Sequence, residues 1–146
     1  MFWKSKKKPT QIPKQALILK AYLASSTVLL GEKRSNPITK AGLQVFILGM
    51  ADMLRQAEKL SWDQFIAVYR LVLAENDLLP AMEVDAFVSK VGELAARGGD
   101  VEKLIRQGAQ SFRMYFVERD ANAPIDLIGA TMFAEKNPAG FASIVG

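Results

Sequence analysis

With no histidine and no cysteine among 146 residues, the chain lacks the side chain that most often moves protons near neutrality, every thiolate nucleophile and the usual ligands of zinc. Chemistry must come from carboxylates, amines and hydroxyls. Glu75, Asp77, Glu83 and Asp85 form an acidic stretch, with no basic residue between Arg70 and Lys90. Carboxylates drawn from a helix end, a loop and the next helix start are donors that a hard cation such as calcium or magnesium takes. The EF-hand spacing and its glycine are missing, and acids near a helix N-terminus are also what the helix dipole favours. The four are therefore weak metal candidates, and no metal or other cofactor is expected. Asp52 lies within an apolar run beside Gly49. Buried there, it would need a partner or a raised pKa, which is how catalytic acids are made. Arg55 or another helix can satisfy it, and a position between two apolar stripes would simply expose it. No nucleophile and base stand at a known spacing, and no glycine loop is built to cradle phosphate. The inventory does not point to an enzyme, although a carboxylate-only or Ser/Lys mechanism needs neither missing residue type.

The basic residues are unevenly placed. Lys4, Lys6, Lys7, Lys8, Lys14 and Lys20 fall in the first twenty positions with no acid among them, whereas the rest of the chain holds 13 basic and 15 acidic groups. The net charge of +4 thus describes a basic run of the first twenty residues ahead of a slightly acidic remainder, and the chain divides into a basic arm, residues 1–12, and a helical domain, residues 13–146. In the arm Phe2 and Trp3 precede Lys4, Lys6, Lys7 and Lys8. Lysines attract phosphate or anionic headgroups, while an indole stacks on a base or sits at a membrane interface. A solvated, flexible terminal arm has the same composition. A secretory leader is not expected, because Lys20 interrupts the apolar stretch and no small-residue cleavage site follows. The chain is expected in the cytoplasm.

A second basic grouping has a defined geometry. Leu94-Ala95, Gly99 and Ile105 fall at the spacing at which a helix-turn-helix places its small, turning and core residues, and the pattern resembles that motif in part. Along the helix that follows, Lys103, Arg106, Gln107, Gln110 and Arg113 align on one face, and these are residue types that read base edges and phosphates in a major groove. The turn departs from the motif at Gly98 and Asp100, where apolar residues are usual, and Glu102 would face the phosphates. An ordinary polar helix face accounts for the same residues.

The elements that must position these residues are all helical. Apolar spacing and stop signals predict a first helix from Pro13 to Leu30, stopped by Gly31, and a second from Asn36-Pro37 to about Lys59. The second carries two apolar stripes, so it is expected to be buried on two sides at the centre of the molecule. Gly42 and Gly49 each cost about 1 kcal/mol of helix propensity, which suggests a neighbour packed close to the backbone. Ser61 and Gln64 form a capping box before a third helix with Trp62, Phe65, Ile66, Tyr69, Val72 and Leu73 inward. A fourth helix is predicted over Pro80–Arg97. A fifth is capped by Asp100 and turns Val101, Leu104, Ile105, Phe112, Tyr115 and Phe116 inward. A sixth begins near Pro124 and buries Ile125, Ile128, Met132 and Phe133. The apolar end from Phe141 to Val145 either docks or frays.

Together these predict an all-α domain, a single irregular bundle of five to seven helices with short loops. Leu78, Leu79 and the apolar C-terminus exceed what so small a bundle must bury. The function expected from this is non-catalytic: binding another protein through an apolar groove or helix face. The alternative is a nucleic-acid binder using the arm and the 101–116 helix face, and an anionic membrane surface is a further partner that the arm's charge would suit. Oligomeric state is not legible.

Overall fold

The computed structural model describes Lys14, Ala16–Leu30 (side chains only as far as residue 24) and residues 35–145. Its α-helices, in chain order, are α1 (Ala16–Leu30), α2 (Pro37–Glu58), α3 (Trp62–Glu75), α4 (Val84–Ala96), α5 (Asp100–Phe116), α6 (Asp126–Lys136) and α7 (Pro138–Val145). Short 3-10 turns at Ala81–Glu83 and Ala123–Ile125 precede α4 and α6, and no strand occurs among the described residues. The protein is an all-α bundle, as the apolar periodicity predicts. Pro13, Gly31 and the basic arm lie outside the described residues.

The bundle is built around α2. The Asn36 side chain accepts hydrogen bonds from the Ile38 and Thr39 amides at 3.0 and 3.2 Å, and Pro37 fills the first helical position. Two of the orphan donors at the helix start are satisfied in this way. Every residue from 41 to 51 is buried, so α2 is enclosed on all sides, beyond the two that its stripes imply.

What encloses it most closely is α5, and glycines set the approach. A Cβ placed on Gly49 would overlap the Ile105 carbonyl, and one on Gly108 would overlap the Phe46 carbonyl. Each helix therefore offers a glycine to the other's backbone, and the two main chains touch where side chains would hold ordinary helices 8–10 Å apart. Gly42 serves α6 in the same way. Its Cβ would lie 2.6 Å from the Ala134 Cβ and 3.3 Å from the Ala130 carbonyl oxygen. The propensity cost of Gly42 and Gly49 thus coincides with close helix packing, as the sequence suggests.

Elsewhere the expectations need correction. In α3 the Ser61–Gln64 capping box forms, with bonds of 3.0 and 3.1 Å, and Phe65 to Leu73 contribute their apolar face to the core. Trp62, however, is 59% exposed. It starts the helix and meets Phe65 at a tilt, with 5.0 Å between ring centroids. Asp100 does not cap α5. It is the first helical residue after Gly98 and Gly99, whose φ values of 75° and 96° make the left-handed turn, and as such it places a carboxylate at the positive end of the helix dipole. Tyr115 and Phe116 are only half buried. In α6 the expected stripe is rotated away: Ile125 and Met132 are exposed, Ile128 and Phe133 half-buried, and the buried face is Leu127, Ala130, Thr131 and Ala134. The C-terminus docks, with Phe141 fully buried and meeting Phe133 edge-on at 6.2 Å.

Two buried hydroxyl groupings brace the bundle. The Tyr22 Oη of α1 lies 2.6 Å from the Ser111 Oγ of α5, and both reach the Ala123 carbonyl oxygen at 3.2 Å. Two protons serve three oxygens, so one hydroxyl donates to the other and the second donates to the carbonyl. Burial pushes the Tyr22 phenol well above its ordinary range, which keeps it a neutral donor. Tyr69, also buried and also raised by desolvation, donates to the Gln44 carbonyl at 2.6 Å.

Candidate functional site

An apolar concavity lies where α2, α4 and α7 meet, and local chemistry places each of its walls. At the end of α3 the Asn76 amide donates to the Val72 carbonyl at 2.7 Å, and Asp77 turns the chain through a left-handed φ of 57°. The Leu78 amide then returns to the Leu73 carbonyl at 2.8 Å. The side-chain amide of buried Gln44 donates to the Leu78 carbonyl. A relay from Tyr69 through the Gln44 backbone and side chain thus ties this turn to α2. Leu78 is drawn into the core at 4% exposure, so it is not the spare hydrophobic that the sequence suggests. Leu79 is left at the mouth.

Pro80 precedes the 3-10 turn that presents Met82, the most exposed large hydrophobic among the described residues at 90%. From the other side Phe141 anchors α7, and three residues later Ile144 and Val145 run along the opening. The result is a hollow of about 460 Å³ walled by Ala41, Leu79, Met82, Ala86, Phe87, Ile144 and Val145, with Lys40, Glu83 and Lys90 also lining it. Lys40 and Lys90 have no ion pair among the described residues, so two cations face one carboxylate around an apolar floor.

The acidic stretch does not converge. Glu75 pairs with Lys20 at 3.0 Å and Asp85 with Arg70 at 3.0 Å, Asp77 occupies the turn, and Glu83 lines the groove. No group of three metal-ligating side chains is assembled among the described residues. Asp52 is satisfied as the sequence allows, by Arg55 at 2.7 Å and Gln56 at 2.8 Å on the half-exposed side of α2. The exposed pairs contribute at most about 1 kcal/mol each. The Thr131 hydroxyl donates to the Ile128 carbonyl and the Ser111 hydroxyl is engaged by Tyr22 and the Ala123 carbonyl, which makes them packing groups rather than nucleophiles.

On α5 the residues Lys103, Arg106, Gln107, Gln110 and Arg113 are all exposed. They are not one uniform basic face. Arg106 is held by Glu102 one turn back, which raises its already high pKa. Gln107 and Gln110 line a second hollow of about 600 Å³ shared with Met132, Phe133, Asp126 and Lys136 of α6. Lys4, Lys6, Lys7 and Lys8 lie outside the described residues. Sequence reasoning flagged Leu79 and the C-terminus but missed Met82, Lys40 and Lys90. Only the 3-10 turn after Pro80 turns Met82 outward, and its cue was the proline itself.

No helix among the described residues is long and apolar enough to cross a membrane. Comparison with family models, with curated proteins and with solved structures finds no match to this chain.

Proposed function

We propose that this protein is a non-catalytic interaction module whose α2–α4–α7 groove takes an amphipathic helical segment of another protein, one with an apolar stripe and acidic flanks. The observation that carries this reading is Met82, 90% exposed at the edge of a hollow lined by Leu79, Phe87 and Ile144. A flexible thioether over an apolar floor adapts to more than one side-chain shape, and helix-in-groove recognition needs such a floor. Lys40 and Lys90 supply the preference for acidic flanks by charge complementarity. The 600 Å³ hollow between α5 and α6 is the weaker candidate, because Gln107, Gln110, Ser111, Asp126 and Lys136 form much of its wall.

The test pairs two helical peptides with the same leucine stripe, one flanked by glutamate and one by lysine. The glutamate peptide should bind, more weakly as salt rises. Ala86→Arg, an exposed position that would fill the hollow, should abolish binding and leave the helical circular dichroism intact. Equal binding of both peptides, or binding unchanged by Ala86→Arg, would remove the groove from the account. The rival nucleic-acid reading predicts instead that Arg106→Ala with Gln110→Ala lowers affinity for a DNA duplex and its sequence discrimination.

A further inference from the structure

α7 walls the groove yet is weakly secured. Of its eight residues Phe141 alone is buried, whereas α2 buries thirteen and α5 five. Residues 137–146 include no charged side chain, so no side-chain ion pair ties α7 down, and it is shorter than the roughly 12–15 residues that an isolated helix needs in water. It is also separable. Asn137, with a φ of −127° and a ψ of 53°, is the single residue between α6 and α7, and Pro138 brings no amide to carry the α6 hydrogen-bond ladder across. Asn137 closes α6 by itself: its amide donates to the Phe133 and Ala134 carbonyls at 3.1 and 3.2 Å, and its side chain to the Phe133 carbonyl at 2.9 Å. α6 therefore keeps its end when α7 leaves. Phe141, Ile144 and Val145 stand at i, i+3 and i+4, the stripe of a helix seated in a groove, and α7 packs on α2, α4, α5 and α6. The chain thus supplies a helix to its own groove. That helix brings no charge, and it leaves Lys40 and Lys90 without an ion pair among the described residues.

We infer that α7 is a displaceable strap: it opens as a unit about Asn137 while the rest of the bundle stays folded, and the acid-flanked helix of the proposed function seats on the surface that α7 leaves, adding the carboxylate–lysine pairs that α7 cannot make. The inference rests on that proposed function and sets its regulation. The hollow of about 460 Å³ is the mouth of the site, and the remainder lies under Phe141 and Ile144. Apparent affinity then scales with the fraction of molecules in which α7 is open. A partner that only lay beside α7 would use Ile144 and Val145 as a fixed wall, and loosening α7 would weaken it. A partner that replaces α7 gains from the same loosening, so the sign of one effect decides between them.

The chain has no cysteine, so one engineered pair can lock the strap. A Cβ on Gly140 would lie 2.8 Å from the Asp100 Cβ. Disulfide-linked Cβ atoms stand about 3.8 Å apart, so Asp100→Cys with Gly140→Cys bridges after a shift of about 1 Å. Oxidised, this variant holds α7 closed; reduced, the same chain frees it. The reduced form should bind the glutamate-flanked leucine peptide about tenfold or more tightly than the oxidised form. Phe141→Ala, which removes the anchor, should also bind more tightly than the unaltered chain while the α2 amides stay protected. With no peptide present, native-state hydrogen exchange at the Ile144 and Val145 amides should run about a hundredfold or more faster than at residues 45–50 of α2. Equal binding by the oxidised and reduced forms would overturn the strap and leave the groove reading standing. Tighter binding by the oxidised form would do the same, because it makes α7 a fixed wall. Exchange of Ile144 and Val145 at the pace of α2 would overturn the strap without reference to any ligand. A glutamate peptide that binds neither the unaltered chain nor the reduced variant would overturn the groove reading itself, and the displacement with it.

Discussion

Gly49 and Gly92 both sit inside helices of this chain, and both lower helix propensity by about 1 kcal/mol against alanine. Around Gly49 there is no room for a side chain, because the α5 main chain occupies the place where a Cβ would be; around Gly92 there is nothing within 4 Å. The same contrast separates the two regions to which they belong. The α2–α5 crossing is held backbone to backbone, with Gly108 reciprocating Gly49, so its geometry is fixed by shape. The outer side of α3 and α4 leaves Trp62 exposed, with a shallow hollow running past Ile66, Val88 and Gly92. Identical residue types thus carry opposite meaning, and only the neighbouring helix tells them apart.

The sharpest way to break this contrast is within the aromatic residues. Phe112→Ala, at a fully buried position on α5, and Phe65→Ala, at 3% exposure on α3, should each cost about 3–5 kcal/mol in urea-unfolding measurements. A near-wild-type midpoint for either would show that the core closes around the loss. Next in size are Gly49→Ala and Gly108→Ala. Each forces the crossing apart, and each should cost about 1–3 kcal/mol or more. A stabilising effect at either would mean that the two backbones do not touch.

The buried phenols give a test in pH. In the unfolded chain both tyrosines ionise near 10.0, whereas in the folded chain burial holds their protons to higher pH. The unfolded state therefore loses protons first. Stability is full below pH 10 and falls as pH rises beyond it, by up to about 1.4 kcal/mol per tyrosine for each pH unit. Tyr69→Phe and Tyr22→Phe should each flatten that alkaline decline in denaturant melts at stepped pH, and an unchanged slope in both would place the phenols in contact with water. The smallest effects belong to the open side. Gly92→Ala should stabilise by about 0.5–1 kcal/mol, and Trp62→Ala should cost about 1 kcal/mol or less. A loss at Gly92 as large as that at Gly49 would erase the distinction between the regions.

How far the sequence speaks for the fold follows from the same contrast. The central place of α2 was legible because large apolar residues and costly glycines coincide in one helix, and the capping box located α3 because its two hydrogen bonds are local. The facing of α6 was not legible. Apart from Leu127 its inward positions are Ala130, Thr131 and Ala134, and the two alanines fit closely because Gly42 lies opposite, so a reading that follows the bulkiest residues picks the wrong face. Trp62 misled for a related reason: it fits the helical period, but at the first turn the period runs beyond the neighbour that would cover it. The groove was legible only in fragments. Leu79 and Val145 are apolar in any reading, but they meet Lys40 and Met82 only after three distant segments are folded together, and no local pattern encodes that meeting.

The exposure of Trp62 has an optical consequence. The chain holds two tryptophans, Trp3 and Trp62, so a Trp3→Phe variant carries a single indole, placed in water on α3. Its emission should already be long-wavelength in the native state and should shift little on denaturation, leaving unfolding to be followed by the helical signal. The same indole becomes a sensitive reporter of anything that covers the outer side of α3 and α4, where a blue shift and loss of quenching by iodide would register contact without the core having changed.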